Sequence, residues 1–144
     1  MTQLVHLILR FMGIVFGYFV ACLTAAGIFA FLSGLITFQD FEIYNDFEVY
    51  LALIFSVTAL TFQFASIAWI PAFIIILIFE IKSIKDWLYY LSAAGLIAIS
   101  VLFSPFATTP AQDQALAYIV SAMGGGFIYW LFVGARAGKW RRKT

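Results

Sequence analysis

The chain has 144 residues, of which 65% are hydrophobic and only 10% charged, with a net charge of +1 and a mean hydropathy of +1.04. A soluble domain keeps roughly a quarter of its residues charged to cover its surface, so this composition excludes a water-soluble globule. Long apolar runs fill most of the chain, and its length allows one domain. We therefore predict an all-α fold, with residues 1–144 forming a single integral membrane domain.

Side chains that carry out chemistry are scarce. Cys22 is the only cysteine and His6 the only histidine, which excludes an internal disulfide and a multi-cysteine metal site. No ionisable residue lies deep within an apolar run, although such a residue is the usual mark of a proton relay or an ion-coupled carrier. Without a nucleophile–base pair or a set of metal ligands, we predict a protein that is not an enzyme and has no cofactor.

The first apolar run predicts a membrane helix over residues 4–38, longer than the roughly 20 residues needed to cross the hydrocarbon core. On it Gly13, Gly17 and Ala21 recur at a spacing of four, and such a ridge of small residues lets two helices approach closely. The segment that follows alternates aromatic and acidic residues. It is interpreted either as an amphipathic stretch on the outer membrane surface that docks a partner, or as an interfacial belt with an acidic loop. Its residues are Phe38, Asp40, Phe41, Glu42, Tyr44, Asp46, Phe47, Glu48 and Tyr50.

A second helix is predicted over residues 46–81, with Asn45 and Glu48 at the spacing of a capping box. Pro71 lies within it and is expected to bend it, because proline removes one backbone hydrogen bond.

The best polar feature of the sequence lies on this second helix. Ser56, Gln63 and Ser66 share one helical face with Ala52 and Ala59. One interpretation is helix packing, because Gln63 needs hydrogen-bond partners in hydrocarbon. The other is a pore or substrate groove, with Gln63 near its middle.

Two further helices are predicted over residues 84–105 and 110–137, which makes an antiparallel bundle of four transmembrane helices. Their starts carry cap signals of their own, namely Ser83 with Asp86, and Thr109 with Pro110 and Gln112. The fourth helix contains Gly124, Gly125 and Gly126. Three glycines within a helix cost conformational entropy, so they indicate a close helix crossing, a bend, or a gap for a lipid or ligand.

The eight basic residues fall only before the first helix, between the second and third, and after the fourth. Basic residues stay in the cytoplasm during insertion, so both termini are predicted to be cytoplasmic. Compactness and this bias favour a bacterial inner membrane. The basic tail is predicted to lie on anionic headgroups, and nucleic acid is not an expected partner. The basic residues are Arg10, Lys82, Lys85, Arg136, Lys139, Arg141, Arg142 and Lys143.

Two short segments resemble known families. The run from Gly126 to Trp130, followed by residues 134–138, resembles the ending of small, uncharacterised bacterial inner-membrane proteins with four helices, a group that implies no activity. Residues 9–13, Leu-Arg-Phe-Met-Gly, are similar to the opening of the GtrA-like family. That family consists of small four-helix proteins implicated in moving lipid-linked sugars across the membrane. It usually carries asparagines in its first two helices, whereas Asn45 is the only asparagine here, so no functional residue is carried over.

Packing features are plentiful and chemical groups are few. The first hypothesis is therefore a non-enzymatic accessory or scaffold protein, which packs in the lipid bilayer against a larger membrane complex or a copy of itself. The alternative is a small transporter, flippase or channel for an uncharged or lipid-linked solute, lined by Ser56, Gln63 and Ser66.

Overall fold

A computed structural model gives the structure of residues 2–43, 47–104 and 112–137. Every regular element in these ranges is helical, as predicted, with four long helices and two short elements. Three stretches, Thr2–Leu32, Phe47–Lys82 and Gln114–Arg136, are long and apolar enough to span a membrane, which indicates a membrane protein. The elements are α1 (Thr2–Leu32), α2 (Phe38–Ile43), α3 (Phe47–Lys82), α4 (Trp87–Leu102), α5 (Gln112–Phe132) and a 3₁₀ turn (Gly134–Arg136).

Helix α1 ends at Leu32, six residues earlier than the predicted boundary at Phe38. Gly34 has a φ of 72°, a left-handed conformation that glycine adopts without steric cost and that commonly ends helices. The Ile36 N–H donates to the Ala30 carbonyl oxygen at 3.1 Å, which closes the last turn. The aromatic and acidic segment that follows begins as a separate short helix, α2. Tyr44, Asn45 and Asp46 lie outside the described residues.

The junction between α3 and α4 also differs from the prediction. The predicted helix start at residue 84, capped by Ser83, is wrong: Ser83 has a φ of 54°, and α4 begins at Trp87 with Asp86 as its N-cap. The Ile84 N–H donates to the Phe79 carbonyl oxygen at 3.0 Å, so Ser83 and Ile84 terminate α3 instead. Asp86 makes no side-chain capping hydrogen bond.

Helix α4 has 16 residues, about 24 Å at about 1.5 Å per residue, which is less than the roughly 30 Å of a hydrocarbon core. It ends before the Ser104-Pro105 pair in the sequence, and a residue that precedes proline disfavours helical geometry. At the other end of the connection, α5 is described from Gln112. The proposed cap at Thr109 and Pro110, like the basic residues from Lys139 onward, lies outside the described residues.

Helix α5 packs against α1 on one side and α4 on the other, and α3 packs against α1 and α4. The start of α1 meets the end of α3, where Arg10 and Glu80 form an ion pair, and further along Phe29 of α1 meets Phe64 of α3. Helix α3 is continuous through Pro71. Helices α3 and α5 touch through the Phe64 and Tyr118 rings at 5.1 Å, and beside this contact a partly open cavity lies between the helices.

Candidate functional site

Of the three consecutive glycines of α5, Gly124 and Gly125 face α1 and Gly126 faces α4. A Cβ atom added to Gly125 would lie 2.7 Å from the Ala21 carbonyl oxygen of α1, and one added to Gly126 would lie 2.8 Å from the Tyr90 carbonyl oxygen of α4. An added Cβ at Gly124 would collide with Ile28 of α1. Because the obstructing atoms at Gly125 and Gly126 are backbone, only glycine allows α5 to lie this close to both neighbours at once.

The small residues of α1 do not all lie in this contact. A Cβ atom added to Gly17 would collide with Val133, and Ala21 contacts Gly125, whereas Gly13 is exposed and has no atom within 4 Å of an added Cβ. A spacing of four rotates about 40° per step around a helix of 3.6 residues per turn. Gly13, the first residue of the ridge, therefore faces away from α5.

The polar stripe of α3 lies on the outside of the bundle. Ser56, Gln63 and Ser66 are all exposed, and none of them lines the cavity. The two serine hydroxyls donate to carbonyl oxygens of their own helix, Ser56 to Ala52 at 2.8 Å and Ser66 to Gln63 at 2.9 Å. Within the described part of the chain, the side-chain amide of Gln63 has no hydrogen-bond partner.

The cavity between the helices has a volume of about 120 Å³ and an almost wholly apolar lining. Helices α1, α3, α4 and α5 all contribute to its wall, largely through alanine and aromatic side chains. The small residues that allow α1, α4 and α5 to pack closely are thus also the residues that leave space in front of α3. The lining includes Tyr18, Ala21, Cys22, Ala25, Phe64, Ala68, Ala72, Phe79, Tyr90, Ala93, Ala94, Ala98, Tyr118, Gly125, Gly126 and Tyr129.

Four tyrosines line this cavity, and they differ in how their hydroxyls are satisfied. The Tyr18 hydroxyl donates to the Ala65 carbonyl oxygen at 2.8 Å, and the Tyr90 hydroxyl donates to the Ile84 carbonyl oxygen at 2.9 Å. The hydroxyls of Tyr118 and Tyr129 have no hydrogen-bond partner among residues 2–43, 47–104 and 112–137. Because no buried side-chain oxygen or nitrogen lacks a hydrogen-bond partner in the described part of the chain, neither of these two hydroxyls is fully buried.

An ion pair that the sequence analysis did not identify joins three elements at one end of the bundle. Arg10 donates from Nε and Nη2 to the two carboxylate oxygens of Glu80, each at 2.9 Å, and from Nη2 to the Val133 carbonyl oxygen at 3.2 Å. Their side chains are only 22% and 14% exposed. Both residues lie at ends of apolar runs on the same predicted side, a signal that could have suggested the pair. In the described ranges, His, Cys, Asp and Glu side chains do not gather in groups of three as a metal site would require.

Comparison with known proteins finds no matching family model, no matching curated protein and no matching solved structure.

Proposed function

We propose that this protein is a non-enzymatic accessory or scaffold protein of the membrane, which binds another transmembrane helix through the outer face of α3. The observation that carries the proposal is the Gln63 side chain, exposed on α3 with no hydrogen-bond partner among the described residues. In hydrocarbon an amide without partners is costly, so a neighbouring helix that offers a hydrogen bond is favoured at this position.

The surroundings of Gln63 suit a helix partner. The hydroxyls of Ser56 and Ser66 are satisfied within α3, so they add little polarity while remaining small. Ala52 and Ala59 lie on the same exposed face, and small residues let the backbones of two helices approach closely. The bulky apolar residues beside this face, such as Phe55 and Phe62, are exposed and would contact lipid or the partner.

The same proposal places the chain in a bacterial inner membrane as an antiparallel bundle of four spans, with both termini in the cytoplasm. Support comes from the distribution of basic residues and from the ion pair of Arg10 with Glu80, which joins the start of one predicted span to the end of the next. Although α4 is short, a short span is accommodated by local thinning of the bilayer.

Cysteine cross-linking in native membranes tests the scaffold proposal. In a background of Cys22→Ala, which removes the one native, buried cysteine, Ala59→Cys, on the same exposed face one turn before Gln63, is expected to form a cross-linked adduct of defined mass while the Gln63 amide stays in place. Leu96→Cys on α4, where the side chain is 63% exposed, is the matched control and is expected to give no defined adduct. A product of twice the monomer mass identifies a second copy, and any other single mass identifies a subunit of a complex. If Ala59→Cys and Leu96→Cys react alike, the proposal is wrong.

The transporter alternative has less support, because the three polar residues proposed to line its path lie on the outer surface. A solute flux into liposomes that Gln63→Leu abolishes while the protein still folds would favour the transporter over the scaffold.

A further inference from the structure

The outer face of α3 carries a repeat with the period of a coiled coil. From Ala52 to Ile70, residues on this face follow one another at spacings of four, three, four, three and four. An average spacing of about 3.5 residues keeps the same residues in contact when two helices wind around each other. These exposed residues form the outer seam, namely Ala52, Ser56, Ala59, Gln63, Ser66 and Ile70.

The outer seam points away from the rest of the chain. At about 100° of rotation per residue, the buried residues of α3 lie roughly on the opposite side of the helix. These buried residues are Thr61, Ala65, Ala72 and Ile76. Because every residue of the outer seam is exposed, no helix in the described part of the chain covers it. A helix that packs along the seam therefore has to come from another molecule.

Gln63 lies near the middle of this 36-residue helix, and its side-chain amide can both donate and accept hydrogen bonds. Among the described residues that amide has no partner. Two such amides placed face to face donate to each other's carbonyl oxygen, so each satisfies a donor and an acceptor of the other. A backbone carbonyl oxygen on an unrelated helix would satisfy only the N–H side. The chemistry of Gln63 is thus self-complementary.

A second copy of the chain places its own Gln63 at the matching depth. The one-sided distribution of basic residues gives every copy the same orientation, so a two-fold axis along the membrane normal brings each seam residue opposite its counterpart. A single polar residue in such a seam fixes the register and the number of helices. Gln63 suits this role, because the hydroxyls of Ser56 and Ser66 already donate within α3.

We propose that the partner of the outer seam is a second copy of this chain, bound in parallel about a two-fold axis, with the two Gln63 amides paired across that axis. This inference rests on the proposed scaffold function, because it names the partner of the same face of α3. The small side chains of Ala59 and Ser66, on either side of Gln63 along the seam, allow the two helices to approach until the amides meet.

Disulfide formation in native membranes tests the identity of the partner. Two copies with tags of different size are expressed together, each with Ala59→Cys in the Cys22→Ala background, and are oxidised with copper(II)–phenanthroline. We expect a disulfide between the two tagged copies, because Ala59 faces its counterpart across the axis. Thr58→Cys is the matched control, since Thr58 is exposed at nearly the same depth but lies about 100° around the helix. It should give no such product.

A photoactivatable thiol reagent on Ala59→Cys separates failure of this inference from failure of the scaffold function, because it also captures partners without a cysteine. A photoadduct of another single mass, with no disulfide between the tagged copies, overturns the second copy as partner and leaves the scaffold function standing. If neither a disulfide nor a defined photoadduct forms, both proposals are wrong.

Substitution of Gln63 tests the paired amides. Sedimentation equilibrium in a mild detergent measures the dissociation constant of the dimer. Gln63→Leu removes the hydrogen bonds and should raise that constant roughly threefold to thirtyfold, and Gln63→Asn, which keeps an amide, should raise it less. Thr58→Leu, the matched change from a polar residue to leucine outside the seam, should leave it unchanged. If Gln63→Leu is folded and dissociates no more than Thr58→Leu does, the pairing of the amides is wrong.

Discussion

Two regions of this bundle are held together in different ways. Around α5, glycines allow contact with the backbones of both neighbours, at Ala21 on α1 and at Tyr90 on α4. Helix α3 instead meets the rest of the bundle through large aromatic rings, such as Phe11 with Phe73 at 6.1 Å, and through a few polar contacts. Small residues bring helices into close contact over a broad area, whereas bulky residues hold them apart at a few points.

The difference explains why the cavity lies where it does. Three helices packed through alanine and glycine present a smooth wall, and α3 cannot follow that wall because its own side chains at Phe64 and Phe79 are large. Since the interior of hydrocarbon provides no hydrophobic force between helices, α3 depends on specific contacts. Three substitutions test this division, in order of decreasing expected effect.

Arg10→Ala should have the largest effect, lowering the free energy of unfolding by about 3 kcal/mol, because it removes a bidentate partner from the Glu80 carboxylate, whose side chain is largely buried. The loss should appear mainly as faster hydrogen exchange in α3, measured by mass spectrometry in detergent. Lys82→Ala, at an exposed position on the same end of α3, should change stability by less than about 0.5 kcal/mol.

A double variant, Arg10→Ala with Glu80→Ala, should be more stable than Arg10→Ala alone, because it also removes the largely buried carboxylate that has lost its guanidinium partner. Uniform acceleration of exchange in all four long helices would mean that the ion pair does not act on α3 in particular.

Gly125→Ala should have the second largest effect and lower the free energy of unfolding by about 2 kcal/mol. The added methyl group would lie 2.7 Å from the Ala21 carbonyl oxygen, a backbone atom that cannot move by itself. Gly13→Ala is the matched control in α1, where nothing lies within 4 Å of the new atom. It should stabilise the protein by about 0.5–1 kcal/mol, since alanine loses less conformational entropy than glycine in a helix. Denaturation in mixed micelles, followed by circular dichroism, measures the free energy of unfolding of both variants. If both substitutions stabilise the protein, or both destabilise it, the contact assigned to Gly125 is contradicted.

Tyr18→Phe should have the smallest effect, about 1 kcal/mol, because it removes the hydroxyl that donates to the Ala65 carbonyl oxygen and leaves the ring contact with Trp69 at 6.0 Å intact. Tyr89→Phe, on α4 with a side chain that is 54% exposed, is its control and should be near neutral. If Tyr18→Phe lowers the free energy of unfolding more than Gly125→Ala does, the proposed ranking of the two regions is reversed.

The sequence predicts the long helices well, because each apolar run is much longer than the segments that connect the helices. It predicts their ends less well. The early end of α1 depends on the left-handed conformation of Gly34, which hydropathy does not report. The start of α4 depends on the turn at Ser83. The capping-box spacing of Ser83 and Asp86 instead predicts that the helix begins at that point.

The polar stripe is the clearest case in which sequence periodicity leaves two answers open. Spacing places Ser56, Gln63 and Ser66 on one face of α3, but a face of small polar residues is compatible both with a pore wall and with an external helix contact. Similarly, regular spacing from Gly13 to Ala21 does not reveal that Gly13 turns away from α5. Neither outcome is encoded in one helix, because each depends on where the neighbouring helices lie.

By itself the sequence determined the all-α class, the membrane character and the approximate position of each long helix, because these follow from local hydropathy and helix length. Only the tertiary structure decided which glycines contact a neighbouring backbone, that Arg10 pairs with Glu80, and that an apolar cavity lies in front of α3. These features join residues far apart in the chain, so they arise only when four helices are placed side by side.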